Sequence, residues 1–438
     1  MDLPLAIIGV IGVGLFLILM FLRMHIGLSM MIAGVIGIWL SRGLPAALST
    51  LATTVFRVSN SEYLVVIPLF VFMGILAGAG GVSKDAFTTF NKWVGHLRGG
   101  LAMATVATCA AFGCVCGDNI ATASTMFRAA LPEMRRYGYA DELSMGAIAC
   151  GGNLGVLIPP STAFVVYGFI TQSSIGALFI SGIIPGFLLT IMFMVMIYIQ
   201  CLINPKLAQE QPPNSWKDRL ISLKGIVGIG LVFVIVMGGL LGGLFTPSEA
   251  GAVGSIAIIL VSLVYRKLTF RIIGHCLLEA VKICAMILLL IFGAQLFSHF
   301  LTTSEIAQNI SQAIVAANLN RYVVMAAIAV LYLILGCFMD IWSIMIITLP
   351  IFFPLVRGLG FDTLQFGVLC VLCIMVGCVT PPVGVVVFTL SGMQKEVPMY
   401  KIFKGCYPFV VTMALCVVFL IAFPALSTWL PDLMIPYR

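Results

Sequence analysis

Asp118 and Asp340 stand 222 residues apart in a chain where only 9% of residues are charged. Each sits in a short polar run inside an apolar stretch: Gly117-Asp118-Asn119 in one case, Gly336 through Asp340 to Ser343 in the other. Two further runs share that spacing. Gly151-Gly-Asn153-Leu-Gly155 leads to Pro159-Pro160-Ser161, and Gly377-Cys-Val-Thr380 leads to Pro381-Pro382-Val-Gly384. Proline removes a helical hydrogen bond and glycine frees the backbone, so both runs should unwind a helix in mid-membrane. Carbonyls and amides released in this way can coordinate ions. Two cages are expected, one from Gly117, Asp118 and Asn119 with Asn153, Gly155 and Ser161, the other from Gly336, Asp340 and Ser343 with Gly377, Thr380 and Gly384. Hard oxygen donors of this kind suit sodium better than a soft metal. Between the cages, an anionic substrate could be held by Asn119, Thr122, Ser124, Thr125, Arg128, the two proline pairs and helix N-termini.

Plainer readings stand beside these. The glycines could serve close helix packing and the proline pairs a simple kink. Asp118 and Asp340 could be solvated carboxylates at the ends of conventional spans, although charge at membrane depth is expensive and usually functional. Arg128 could neutralise Asp118, bind a substrate carboxylate, or snorkel to the membrane edge. The thirteen cysteines lie mostly in apolar runs, where free Cys behaves as a small hydrophobe. Four scattered histidines give no metal-ligand spacing.

The elements that position these residues follow from composition. Hydrophobic residues make up 61% of the chain, far above a soluble domain, so the fold class is an all-α polytopic membrane protein. The stretch 2–22 reads as a span rather than a cleaved signal. Further spans are expected at about 26–40, 64–79, 143–169, 175–199, 225–244, 251–265, 277–300, 366–393 and 407–429, with interfacial pieces at 44–58, 83–97, 304–318 and 395–404. Residues 101–131 and 323–355 are too long for one crossing and too short for two, and each breaks near its middle. Each is expected as a re-entrant hairpin of two half-length helices, followed by a broken helix at about 141–170 or 362–393.

The 222-residue offset makes these elements two copies of one unit. Pro132, Arg135, Gly138, Gly155 and the Pro159-Pro160 pair fall on Pro354, Arg357, Gly360, Gly377 and Pro381-Pro382, Tyr139 meets Phe361 and Phe70 meets Phe292. Such a repeat marks secondary transporters. The expected division is a first repeat at 1–203, a cytoplasmic linker at 204–224 and a second repeat at 225–438. With the N-terminus outside, 16 of the 23 Lys and Arg residues fall in cytoplasmic loops and five outside (Arg42, Arg57, Arg321, Arg357 and Arg438), with Arg128 and Lys282 nearer the membrane. The first hairpin then opens to the cytoplasm and the second to the outside, so the repeats are inverted. The net charge of +7 fits loops facing an anionic leaflet, not nucleic acid, because the basic residues are dispersed.

These residues resemble a known family. Pro68-Leu-Phe70, Phe72-Met-Gly74, Arg98-Gly-Gly-Leu101, Leu131-Pro-Glu-Met134 and Gly138-Tyr139 look like the large membrane subunit of tripartite ATP-independent periplasmic (TRAP) transporters. Gly152-Asn-Leu-Gly-Val-Leu-Ile-Pro-Pro-Ser161 is the most specific block, supported by Tyr167-Gly168, Ser174-Ile-Gly176, Gly182-Ile-Ile-Pro-Gly186, Thr246-Pro-Ser-Glu-Ala250 and Thr380-Pro-Pro-Val-Gly384. The resemblance covers essentially the whole chain. It implies a sodium-driven importer of small organic anions in a bacterial or archaeal inner membrane, working by an elevator motion of the hairpin-containing domain. It implies two partners, a periplasmic substrate-binding protein and a separate small four-helix membrane subunit, with sodium at the hairpin tips and no other cofactor. Two positions depart from the family pattern. The first tip usually reads Gly-Ser-Ser, and the added carboxylate of Asp118 could strengthen a cation site, pair with Arg128 or permit proton coupling. Val386 stands where the family often has Asn.

Other classes find less support. A stand-alone organic-anion/cation antiporter of the same hairpin architecture is the alternative within transport. An enzyme lacks a catalytic set, with no H-E-x-x-H, G-x-S-x-G or Walker loop. A channel lacks anything resembling a filter or a charged ring.

Overall fold

A computed structural model describes residues 4–22, 24–264, 268–304, 320–393 and 396–434, and among them all regular structure is helical. The first repeat begins with α1 (Leu5–Phe21), α2 (Ile26–Arg42), α3 (Leu44–Ser59), α4 (Glu62–Ala79) and α5 (Val82–Val94). Its hairpin is α6 (Gly100–Cys116) and α7 (Asn119–Arg136), its broken helix α8 (Asp141–Leu157) and α9 (Thr162–Thr171), and α10 (Ile175–Ile203) closes it. After a 3-10 turn at Pro205–Leu207 come α11 (Trp216–Ser222), α12 (Lys224–Leu241), α13 (Pro247–Val264) and α14 (Phe270–Thr303). The second hairpin is α15 (Arg321–Gly336) and α16 (Ile341–Gly358). The second broken helix is α17 (Thr363–Cys378) and α18 (Val385–Met393), followed by α19 (Met399–Ala422) and α20 (Ala425–Met434). Among the described residues six helices are long and apolar enough to cross a bilayer, or up to eight if each bent pair is one span.

The repeat reappears in the element bounds. α7 and α16 start and stop at positions 222 apart, because each begins on an aspartate cap. Asp118 Oδ1 accepts from the Ala121 N–H at 2.7 Å, and Asp340 Oδ2 from the Ser343 N–H at 3.0 Å, each satisfying a free donor of the first helical turn. The two broken helices lie at the centre. Every residue from Leu143 to Leu157 and from Leu364 to Cys378 is buried, as expected of helices that are apolar all round. The repeats also clasp each other. α9 packs on α16 of the second hairpin, and α18 packs on α7 of the first. Outside this body α2 packs along α14, and α4 along α13.

Several expectations shift. The hairpin arms are not half-length. They run 17 and 18 residues in the first and 16 and 18 in the second, or about 25 Å each at the α-helical rise. The hairpins therefore extend beyond 101–131 and 323–355, with Pro132 inside α7 and Pro350 and Pro354 inside α16. The span read at 407–429 starts at Met399, absorbing much of the piece expected at 395–404, and ends before Pro424, where a second helix begins. The piece at 44–58 is α3, but its repeat equivalent is fused into the 34-residue α14. The interfacial piece at 304–318 lies, apart from Ser304, outside the described residues, as do Arg23, Arg266, Lys267, Lys395 and Arg438 of the charge count.

Candidate functional site

Each hairpin tip meets the break of its own broken helix. At the first tip, Gly117 turns with φ +65°, and a side chain there would place its Cβ 2.7 Å from the Pro160 carbonyl oxygen. Only glycine allows both the left-handed turn and that approach. The Gly117 carbonyl accepts from the Thr162 N–H at 3.1 Å and from the Thr162 hydroxyl at 2.9 Å. At the second tip, the Gly384 N–H donates to the Cys337 carbonyl at 3.0 Å. Thr162 and Gly384 are repeat equivalents, so the same turn of each restarting helix is pinned to its hairpin. The Pro159-Pro160 and Pro381-Pro382 bonds are both cis.

The residues expected in the first cage converge. Asn119 Nδ2 donates to Asn153 Oδ1 at 3.2 Å, and the Thr122 hydroxyl donates to the Asp118 carbonyl at 2.6 Å. A Cβ on Gly155 would lie 2.7 Å from that same carbonyl and 2.5 Å from the Thr122 hydroxyl oxygen. Ser161 caps α9, accepting from the Phe164 N–H at 3.4 Å. Asn119, Thr122, Asn153 and Ser161 are all buried.

The second cage is looser. Gly336 and Gly377 touch, a Cβ on Gly377 falling 2.5 Å from the Gly336 Cα. Asp340 spends its oxygens on Ser343, whose hydroxyl donates at 2.6 Å. The Thr380 hydroxyl turns back to the Val376 carbonyl at 2.6 Å. Pro159 and Pro160 are buried whereas Pro381 and Pro382 are exposed. The glycines and aspartates thus have packing and capping duties in addition to any ligand role.

A cavity of about 570 Å³ opens between α7, α4 and α14, lined by Ser124, Thr125 and Arg128 opposite His275 and Glu279, with Lys84 at its edge. A second cavity of about 340 Å³ shares Gly74, Ile75, Ala121 and Glu279 with it and reaches Asp118 and Trp342. The path therefore runs from Arg128 to the first tip. Among the described residues Arg128 forms no ion pair with Asp118; its side chain is exposed. Asn119, Thr122 and the proline pairs line neither cavity. The second hairpin repeats the arrangement in reduced form, since Ile346 and Pro350, the equivalents of Ser124 and Arg128, line only about 170 Å³.

Sequence reasoning passed over the opposite wall. Ile272, His275, Cys276, Glu279, Ile283 and Met286 of α14 face the two cavities. Their spacing is one helical stripe, and an acid on that stripe was the available signal. Backbone partners such as the Cys337 and Met375 carbonyls left no signal, because any residue type supplies a carbonyl.

Comparison with known proteins follows the same lines. Residues 13–426 match the family described as the DctM component of the tripartite ATP-independent periplasmic transporter. The chain is 34% identical over 389 residues to a C4-dicarboxylate TRAP transporter large permease protein of Pseudomonas aeruginosa, covering 89% of this chain and 90% of that one. It is 30% identical over 380 residues to a sialic acid TRAP transporter large permease protein of Vibrio cholerae, covering 85% and 87%. In fold it is similar to the Alcanivorax borkumensis YdaH transporter, with a TM-score of 0.60 at 15% identity over 89% of this chain and 90% of that one.

Proposed function

The chain belongs to the DctM family of TRAP transporter large permeases, multi-pass proteins of the inner membrane, and on that premise we propose that it imports a small carboxylate down an inward sodium gradient. The observation that carries this reading is the tip-to-break junction, made once in each repeat from equivalent positions of the broken helices, Thr162 and Gly384. Each junction brings a tip carbonyl against the broken helix, with the capping carboxylate of Asp118 or Asp340 on the same tip, and hard oxygens of this kind suit a desolvated cation. Sodium at both tips offsets the carboxylates of Asp118 and Asp340, and an anion then enters beside them.

The substrate class is a carboxylate such as a C4-dicarboxylate or sialic acid, the cargoes named for relatives. Arg128 supplies the positive charge on the cavity wall, with Ser124 and Thr125 as hydroxyl partners. A periplasmic binding protein delivers the substrate, and a separate small membrane subunit of four helices steadies the outer helices. In the threading with the N-terminus outside, the 570 Å³ cavity faces the cytoplasm and its 170 Å³ counterpart faces the periplasm. That difference supports an inward-facing state of an elevator cycle, in which hairpins and broken helices slide together against α2, α4, α13 and α14.

Uptake into proteoliposomes tests this. Transport is expected only with the small subunit, the loaded binding protein and an inward sodium gradient together. Equal uptake of free substrate by the large subunit alone overturns the reading in favour of a stand-alone carrier.

A further inference from the structure

A directed chain of hydrogen bonds runs from the first hairpin into the second repeat. The Ile120 N–H donates to Asn119 Oδ1 at 2.9 Å, which turns Asn119 Nδ2 toward Asn153. That nitrogen donates to Asn153 Oδ1 at 3.2 Å, and Asn153 Nδ2 in turn donates to the Met375 carbonyl at 2.9 Å. One end can only donate and the other only accept, so the chain itself fixes both amide orientations. Asn153 is 0% and Asn119 6% exposed, leaving little room for competing water. Met375 is the repeat equivalent of Asn153, 222 residues on, so the contact lies on the approximate twofold axis relating the repeats. Two residues further is Gly377, in backbone contact with Gly336, so movement at Met375 presses on the second hairpin. The equivalents of Asn119 and Asn153 are Ile341 and Met375, neither with a side-chain amide, so the second repeat has no equivalent of this chain at those positions.

We infer that Asn119 and Asn153 form a relay coupling the two hairpin-tip cation sites, so that occupancy of the first raises the affinity of the second. This rests on the reading of the tips as cation sites. A cation at the first tip fixes the chain around Asp118 and Asn119. The fixed Asn119 then holds Asn153 against Met375, and the Met375–Gly377 backbone is held against Gly336 in the geometry of the second cage. Linkage makes the coupling energetically mutual, although it is wired through one repeat's side chains. Asn153 is in this account a positioning residue, acting on the second site through the backbone of α17.

The test is a sodium titration of uptake by the complete reconstituted complex, wild type against Asn119→Ala, Asn153→Ala and Asn153→Asp. Because Asn119 and Asn153 also belong to the proposed first cage, Asn153→Asp is the deciding variant: it keeps the oxygen facing Asn119 and removes the Nδ2 donor to the Met375 carbonyl. The expected result is a Hill coefficient falling from near two to near one. Hydrogen exchange gives a second readout: sodium should protect residues 370–376 around Met375 in the wild type and not in Asn153→Asp. An unchanged Hill coefficient and unchanged protection, with only lower thermal stability, reduce the chain to a structural link and overturn the relay. A wild-type coefficient of one does the same. Sodium-independent wild-type uptake is a different outcome, since it overturns the cation reading itself.

Discussion

Replacing Asp118 by asparagine separates two duties that the carboxylate combines. Asparagine caps a helix about as well as aspartate, so Asp118→Asn should keep α7 intact while removing the charge. The expected outcome is unchanged thermal unfolding with a several-fold rise in the sodium concentration for half-maximal uptake. Asp118→Ala should show the same sodium defect plus a stability loss of about 1 kcal/mol from the missing cap. Wild-type sodium dependence in Asp118→Asn would leave Asp118 a cap and nothing more. Tyr139 offers a residue-scale contrast between the repeats. Its hydroxyl accepts from the buried Leu101 N–H at 3.1 Å, whereas its equivalent is Phe361. Tyr139→Phe leaves that donor unpaired and should cost about 1–3 kcal/mol in thermal unfolding, with the sodium dependence of uptake unmoved. The sequence marked Asp118 and Tyr139 as repeat-matched positions, but not the bonds they make, because a hydrogen bond needs a partner from another turn or helix.

At the scale of elements, the junction of α15 with α17 depends on two backbones in contact at Gly336 and Gly377. Gly377→Ala puts a methyl group 2.5 Å from the Gly336 Cα, too close for either helix to stay in place. A loss of about 1–3 kcal/mol and of most transport is expected, because overpacking here also displaces the second tip. Gly392→Ala is the control, since nothing lies within 4 Å of a Cβ there, and it should transport normally. Equal effects of the two would mean that tight packing at the second break does not matter. Breaks and hairpins were readable in advance because Gly and Pro act locally on their own backbone. The arm lengths were not, since the hairpins continue past 131 and 355 through Pro132 and Pro354, which lie inside helices.

The whole molecule carries a twofold repeat that its cavities do not obey, being wide beside Arg128 and narrow beside Pro350. On the proposed threading, Ser124→Cys should react with a membrane-impermeant thiol reagent added from the cytoplasmic side and, in the resting protein, much more slowly from the periplasmic side. Reaction from the periplasmic side alone would reverse the orientation. Charge swapping across the cavity is a further check: Glu279→Lys places a second cation opposite Arg128 and should trap the carboxylate, lowering both turnover and the substrate concentration for half-maximal uptake. What the sequence by itself determined is the all-helical membrane class, the doubled unit and the location of its tips and breaks. Composition, period and helix-breaking residues act within one segment, and they survive without knowledge of neighbours. Only the tertiary structure decided that α9 and α18 exchange hairpins, that Asn153 meets its own equivalent, and that α14 supplies the wall facing Arg128. Those facts depend on which surfaces meet across 100 or more residues of chain, and in a mostly apolar sequence many pairings satisfy the same pattern. Close packing of backbones at glycine contacts, together with a few buried amides, selects the pairing observed.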